Sequence, residues 1–171
     1  MGKAQSPHRN LSGAEAIEKI KELAEDAKTC FFTTKIGADA HSVPMTLQEV
    51  DESGTLFFIS SEESEHNQHL LDDPSAHLYF MNDSSYEYVF LKGKATITKD
   101  QDQIDRYYSH FADAWFDGKD DPRITVIGIK PEDGYYYETK DNKIFAMAKM
   151  VFAAVTGAKT EDGGIEGGLK I

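Results

Sequence analysis

His41-Ser42-Val43-Pro44-Met45-Thr46-Leu47-Gln48-Glu49-Val50, Asp51-Glu52-Ser53-Gly54, Thr55-Leu56-Phe57-Phe58-Ile59-Ser60 and Ser61-Glu62-Glu63-Ser64-Glu65-His66-Asn67-Gln68-His69-Leu70-Leu71-Asp72-Asp73-Pro74 form one continuous stretch. It reads as a strand over 41–50, a turn over 51–54, a second strand over 55–60 and a helix that stops before Pro74. Ser60, Ser61 and Ser64 lead into that helix. Free backbone amides and the helix dipole at such a start favour an anion. The simpler reading is capping, with Ser60 as the cap and Glu63 closing the box. Glu62, Glu63 and Glu65 crowd the mouth, and no lysine or arginine lies in it.

Upstream, Ser12 and Glu15 make a capping-box pattern, and Ile17, Ile20, Ala24 and Ala27 recur at helical spacing; a helix is expected over 12–28. Residues 29–36 are β-branched and aromatic and read as a strand. Downstream, 76–81 is a strand, 82–85 a turn, and 86–99 a long strand that Gly93 interrupts as a bulge or bend. Asp100 opens a helix carrying Ile104, Tyr107, Tyr108 and Phe111, and a dense loop from Trp115 to Arg123 follows. Strands are expected at 124–130 and 135–138. Ile144, Met147, Ala148, Val151 and Val155 are again spaced as a helix. Residues 1–11 read as a flexible arm, 12–157 as one domain, and the glycine-rich 158–171 as a flexible tail. Strands joined by tight turns with inserted helices give a mainly β class, an antiparallel barrel with helical additions.

The chain has 171 residues, enough for one domain with a proper core. Eighteen Lys and Arg against 30 Asp and Glu leave a net charge of −12, which repels nucleic acid and anionic membrane. No apolar run approaches the roughly 20 residues that span a bilayer, and residues 1–10 lack the apolar segment of a signal peptide. One cysteine, Cys30, allows no intrachain disulfide. These features lead to an expected cytoplasmic location.

The chemistry-bearing residues are few. His66 and His69, with Glu62 and Glu65 within a turn, have a spacing that metals use, although two histidines on a helix are more often solvated; no metal site is assigned. The lone Trp115, beside Phe116, suits a flat ligand, a subunit contact or a plug for its loop. Asp120 and Asp121 before Pro122-Arg123 read as turn formers. Tyr135, Tyr136 and Tyr137 read as packing or interface, and Cys30 as a buried apolar residue. There is no phosphate-binding glycine loop, nucleophile elbow or triad, so any chemistry is expected to come from a bound cofactor.

The ordered set Val43-Pro44-Met45, Asp51 to Gly54, Leu56 to Ser60, Ser64 with His66, Asp73-Pro74, Tyr88 to Ala95, Ala114-Trp115-Phe116, Gly118, Asp120 to Arg123 and Met147-Ala148-Lys149 resembles the flavin-binding split barrels of the pyridoxamine 5′-phosphate oxidase superfamily, and within it the general stress protein branch. The likeness runs from about Ser12 to Gly157. It implies a six-stranded antiparallel split β-barrel, a homodimer, and flavin mononucleotide (FMN) held in a groove between subunits. The ring would lie along Val43, Pro44, Met45 and Thr46, and the phosphate near Ile59, Ser60, Ser64, Glu65 and His66. Trp115 would stand near the ring or the subunit contact. The resemblance also implies flavin-dependent redox chemistry, and its departures argue against pyridoxamine phosphate oxidation itself. The family commonly has arginine at the position of Val43 and lysine at that of His66; the oxidases add basic residues at Gln48 and Glu65. Each charge-assisted hydrogen bond lost to a phosphate is worth roughly 1.5–3 kcal/mol. His41 and His66 are the expected partial replacements, and Lys92 and Lys94 are cations that the sequence does not place. The alternative expectation is a flavin-free split-barrel dimer that serves as a stress-related binding protein.

Overall fold

The computed structural model describes residues 8–139, 151–157 and 164–171. Among them, nine strands share one sheet. The elements run β1 (Leu11–Ser12), α1 (Gly13–Ala27), β2 (Thr29–Thr34), β3 (His41–Thr46), β4 (Glu49–Val50), β5 (Leu56–Ser61), α2 (Glu65–Asp72), β6 (Ser75–Asn82), β7 (Glu87–Thr98), α3 (Gln101–Tyr107), a 3₁₀ turn (His110–Ala114), β8 (Ile124–Thr139) and β9 (Gly164–Lys170). Residues 151–156 are helical. The class is mainly β with helices added, as expected, but the sheet has nine strands rather than six and does not close.

β8 organises the sheet. β7 pairs along one side of it; on the other, β5 pairs with residues 124–129 and β9 with residues 133–139. The sheet therefore forks where β5 and β9 diverge. From β7 the order continues through β6 and β2 to β3, all antiparallel. β3 has no second hydrogen-bonded neighbour among the described strands, and Pro44, which lacks an amide hydrogen, suits that edge.

Several boundaries move for local reasons. The strand expected over 41–50 is two, because the Leu47 amide turns to donate to the Lys28 carbonyl (2.8 Å). The expected 124–130 and 135–138 strands are one. Pro131 sits opposite Gly93 at the register shift between Lys92 and Gly93, so the bulge absorbs the missing donor. Ser12 is the N-cap of α1 but makes no side-chain cap bond. α3 ends at Tyr107, and Phe111 lies on the 3₁₀ turn, 81% exposed.

Both expected loose ends contain strands. Leu11–Ser12 runs parallel to Leu169–Lys170, and β9 lies on β8. Leu11 and Leu169 enter the core, and the buried Tyr136 hydroxyl donates to the Arg9 carbonyl (2.7 Å). The glycines that suggested a mobile tail instead permit close packing: a Cβ on Gly167 would stand 2.0 Å from the Arg9 carbonyl oxygen. Met147-Ala148-Lys149 and the first part of the last helical pattern lie outside the described residues.

The main core fills one face of the sheet under α1. Phe32, Leu56, Phe58, Leu78, Phe80, Leu91, Ile127 and Ile129 meet Ile20, Leu23 and Ala24 there. Each such side chain contributes roughly 1.5–3 kcal/mol on burial. A smaller cluster of Ile104, Tyr107, Ile124 and Val126 seats α3 on the other side of β5 and β8. Cys30 is buried, and burial alone pushes its thiol far up, so it is an apolar filler.

Aromatic residues also line the outer face. Pro44, Phe31, Tyr79, Phe90 and Tyr135 stand in cross-strand register from β3 to β8. Tyr79 and Phe90 stack at 4.8 Å, and Phe31, Tyr79, Met81 and Tyr137 are exposed.

Candidate functional site

Strand alternation decides which way β5 presents its end. Leu56, Phe58 and Ser60 face the core, whereas Phe57 and Ile59 pack toward the α3 cluster. Ser60 is thus buried where the chain leaves the sheet for α2. The cap of α2 is Ser64, not Ser60: its hydroxyl accepts from the Asn67 amide (3.3 Å) and donates to the Ser61 carbonyl (2.7 Å). α2 is anchored on its inner side by Leu70 in the main core and by the Asn67 side-chain amide, which donates to the buried Thr125 hydroxyl (2.8 Å).

These constraints bring three of the predicted residues into one cluster. His66 Nε2 is 2.6 Å from the Ser60 hydroxyl and 3.1 Å from that of Ser64, and the two hydroxyls are 3.4 Å apart. The imidazole lies against Phe32, ring centres 6.0 Å apart. Beside it, His41 of β3 and His69 of α2 meet edge to face at 5.5 Å. His69 Nδ1 bonds the Thr34 hydroxyl (3.0 Å), and His41 Nε2 reaches Glu65 (3.2 Å). Glu65 therefore pairs across to β3 instead of with His69 one turn on, and the two helix histidines are half-buried instead of solvated. Burial, then the nearby His41 and His69, push the His66 pKa down to about 4.

The remaining predicted residues fall into two groups. On β3, Val43 and Met45 pack against the main core, while Pro44 and Thr46 are exposed along the free edge, next to β5. Trp115 follows the 3₁₀ turn and is 71% exposed, so it is no plug; Phe116 takes that part, half-buried under Arg123. Asp121 holds the loop as a turn former: it accepts from the Asp117 amide and from the Arg123 amide and guanidinium, which keep its carboxyl far below the usual range. Lys92 lies over Phe90 and Lys94 donates to Ser75, so neither supplies a cation to the cluster.

Sequence reasoning missed Thr34 and Phe32. Both sit on β2, remote in sequence from α2, and no local motif marks them. Among the described residues no group of three or more His, Cys, Asp or Glu is disposed to hold a metal ion; His66 Nε2 bonds the serines, His69 Nδ1 bonds Thr34 and His41 Nε2 meets Glu65, while the buried His41 Nδ1 has no hydrogen-bond partner. Nor is any described helix long and apolar enough to cross a membrane.

The arrangement offers a phosphate-like group two serine hydroxyls, an imidazole nitrogen and the first amides of α2, beside an open strand edge. These groups can hydrogen-bond a phosphate once the Ser64 proton, held by the Ser61 carbonyl, turns to it. They do not supply its counter-charge, because His66 is neutral at pH 7 and Glu65 is close by.

Comparisons with known proteins bear on the family and the fold. The family model described as "Pyridoxamine 5'-phosphate oxidase like" matches residues 15–161. The chain is 28% identical over 119 residues to General stress protein 26 of Bacillus subtilis, covering 68% of this chain and 84% of that protein. It is 26% identical over 155 residues to Protein bli-3 of Neurospora crassa, covering 84% and 74%. Among solved structures, a general stress protein 26 of Jannaschia sp. CCS1 superposes with a TM-score of 0.75 at 22% identity, over 93% of this chain and all of that one. The general stress FMN/FAD binding protein of Xanthomonas citri gives 0.64 at 20% identity, over 76% and 93%. These likenesses carry the fold: both are general stress proteins of the split-barrel type.

Proposed function

Because the chain belongs to the pyridoxamine 5′-phosphate oxidase-like family, we propose that it binds FMN at the β3 edge and the α2 mouth, more weakly than a site with fixed cations would, and serves as a flavin-dependent oxidoreductase. The observation that carries this reading is the Ser60–Ser64–His66 cluster at the start of α2, next to the exposed edge of β3. Ser60, Ser64 and His66 would hold the phosphate, with the backbone around Ile59 and Glu65 completing the cradle. Val43, Pro44, Met45 and Thr46 would flank the ring. A bound flavin supplies hydride or electron transfer; the protein's share is to orient the ring and exclude water from one face.

The same reading includes a homodimer in the cytoplasm. The outer row from Pro44 to Tyr135 begins on β3 itself, so a second copy covering it would wall the flavin edge. Trp115, exposed on its loop, is free to meet such a partner. The substrate is a small hydride donor or acceptor rather than pyridoxamine phosphate, since among the described residues the mouth offers no cationic cluster for another phosphate.

The second reading is a flavin-free split-barrel dimer with a binding role. The neutral His66 and the Glu65 carboxylate beside it favour this reading. Titration of the purified protein with FMN, followed by flavin fluorescence, separates the two. Saturable binding supports the first; an unchanged signal at both pH 6 and pH 8 removes it.

A further inference from the structure

Resting on the flavin reading, we infer that His66, flanked by His41 and His69, takes up a proton when a phosphate enters the α2 mouth, so that pH sets the preference for FMN over unphosphorylated riboflavin.

The geometry concentrates the donors. An anion engaging the Ser60 and Ser64 hydroxyls lies beside His66 Nε2, because that nitrogen is already 2.6 and 3.1 Å from the two oxygens. The neighbours of the imidazole are uncharged on two elements, Phe32 from β2 and Ser60 from β5, while Thr34 of β2 bonds His69 instead. β3 contributes His41, and α2 contributes Ser64, Glu65 and His69. Glu65 is turned to His41, and Glu62 is engaged by Lys99. Among the described residues, no lysine or arginine is paired with any of the three histidines.

Without an anion, the ring is held neutral. With its pKa near 4, about one molecule in a thousand carries the charged form at pH 7. Nε2 and a serine hydroxyl then share a hydrogen bond whose direction the imidazole tautomer sets. A phosphate dianion reverses the preference: the imidazolium donates to it, and the opposite charge favours protonation. The coupling is reciprocal, so the proton strengthens phosphate binding as much as phosphate strengthens proton binding. Above the second phosphate pKa of about 6, FMN arrives as a dianion and its binding consumes a proton. Riboflavin has no phosphate and consumes none. A lysine would give a phosphate preference that does not change between pH 6.5 and 8.

The test is the imidazole titration of His66 by NMR in the whole protein, alone and with 50 mM inorganic phosphate, FMN or riboflavin. Binding of both flavins is measured alongside at pH 6.5 and pH 8.0. Phosphate and FMN should raise the His66 pKa from about 4 to about 7, roughly three units, and riboflavin should leave it unchanged. FMN affinity should fall at least about threefold between the two pH values while riboflavin affinity stays level. In His66→Lys, the FMN preference should become independent of pH. A His66 titration unmoved by bound FMN, or an FMN-to-riboflavin ratio that is constant with pH, overturns the inference and leaves flavin binding standing. If inorganic phosphate moves His66 but neither flavin binds, the flavin reading falls and the proton-linked phosphate site remains. If phosphate does not move His66 and no flavin binds, both fall.

Discussion

Replacing His66 by glutamine should make the protein more resistant to acid. In the folded chain the imidazole has a pKa of about 4, against an ordinary value of 6.5, because burial and the adjacent His41 and His69 disfavour its charged form. The unfolded chain therefore binds the proton more readily. Stability that is intact above pH 6.5 is lost as pH falls from 6.5 through 4. At 1.36 kcal/mol per pH unit the full difference is about 3 kcal/mol. Solvent reaches the half-buried ring, and screening reduces this to roughly 1.5 kcal/mol at pH 4.5. Glutamine keeps hydrogen-bonding atoms near Ser60 and Ser64 but does not titrate. All other titratable side chains are common to the two proteins. Urea unfolding at pH 7.0 and pH 4.5 should show the wild type losing about 1.5 kcal/mol more than the variant, a gap in Tm of roughly 3–6 °C for a chain of this size. Equal losses in the two proteins would refute the claim that His66 is held neutral by its surroundings.

Further expectations concern the scaffold and the outer face. Gly93→Ala places a Cβ 2.5 Å from the Lys130 carbonyl oxygen and 2.9 Å from Ile129 at the bulge; a loss of about 2 kcal/mol or more is expected, and an unchanged denaturation midpoint would contradict it. Leu169→Ala should cost about 2–3 kcal/mol, because β9 seats this residue in the core; calorimetry showing no change would mean that β9 does not pack as described. Tyr136→Phe removes the donor to the Arg9 carbonyl and should cost about 1 kcal/mol, with faster amide exchange at the β1 end. Tyr79→Lys, at the middle of the outer aromatic row, should turn a dimer into monomers in sedimentation velocity while the far-ultraviolet spectrum holds; a wild type that sediments as a monomer would remove the dimer reading.

Much of the fold is legible locally. Period-two alternation in Leu56-Phe57-Phe58-Ile59-Ser60 both makes the strand and aims Ser60 inward. The Asp51 to Gly54 turn follows from the Asp51 carboxylate, which accepts from the Ser53 and Thr55 amides at 2.9 Å, and from Gly54, with φ +86. The bulge at Gly93 is likewise signalled by the residue itself. What failed was long-range. The terminal strands pair with each other across more than a hundred residues, β9 also lies on β8, and glycine-rich composition reads as looseness until a partner backbone is known.

The site divides in the same way. The sequence determined the strand–turn–strand–helix unit, the serine-rich entry to α2 and the shortage of cations there, because each depends on residues within a few positions of one another. Only the tertiary structure decided the ionisation of His66, the pairing of Glu65 with His41 instead of His69, and the exposure of Trp115. Those outcomes depend on which strands β2 and β3 bring against α2, and on how much water their contact leaves around the imidazole. Charge in a protein is set by solvation and neighbours in space, and one-dimensional spacing contains neither.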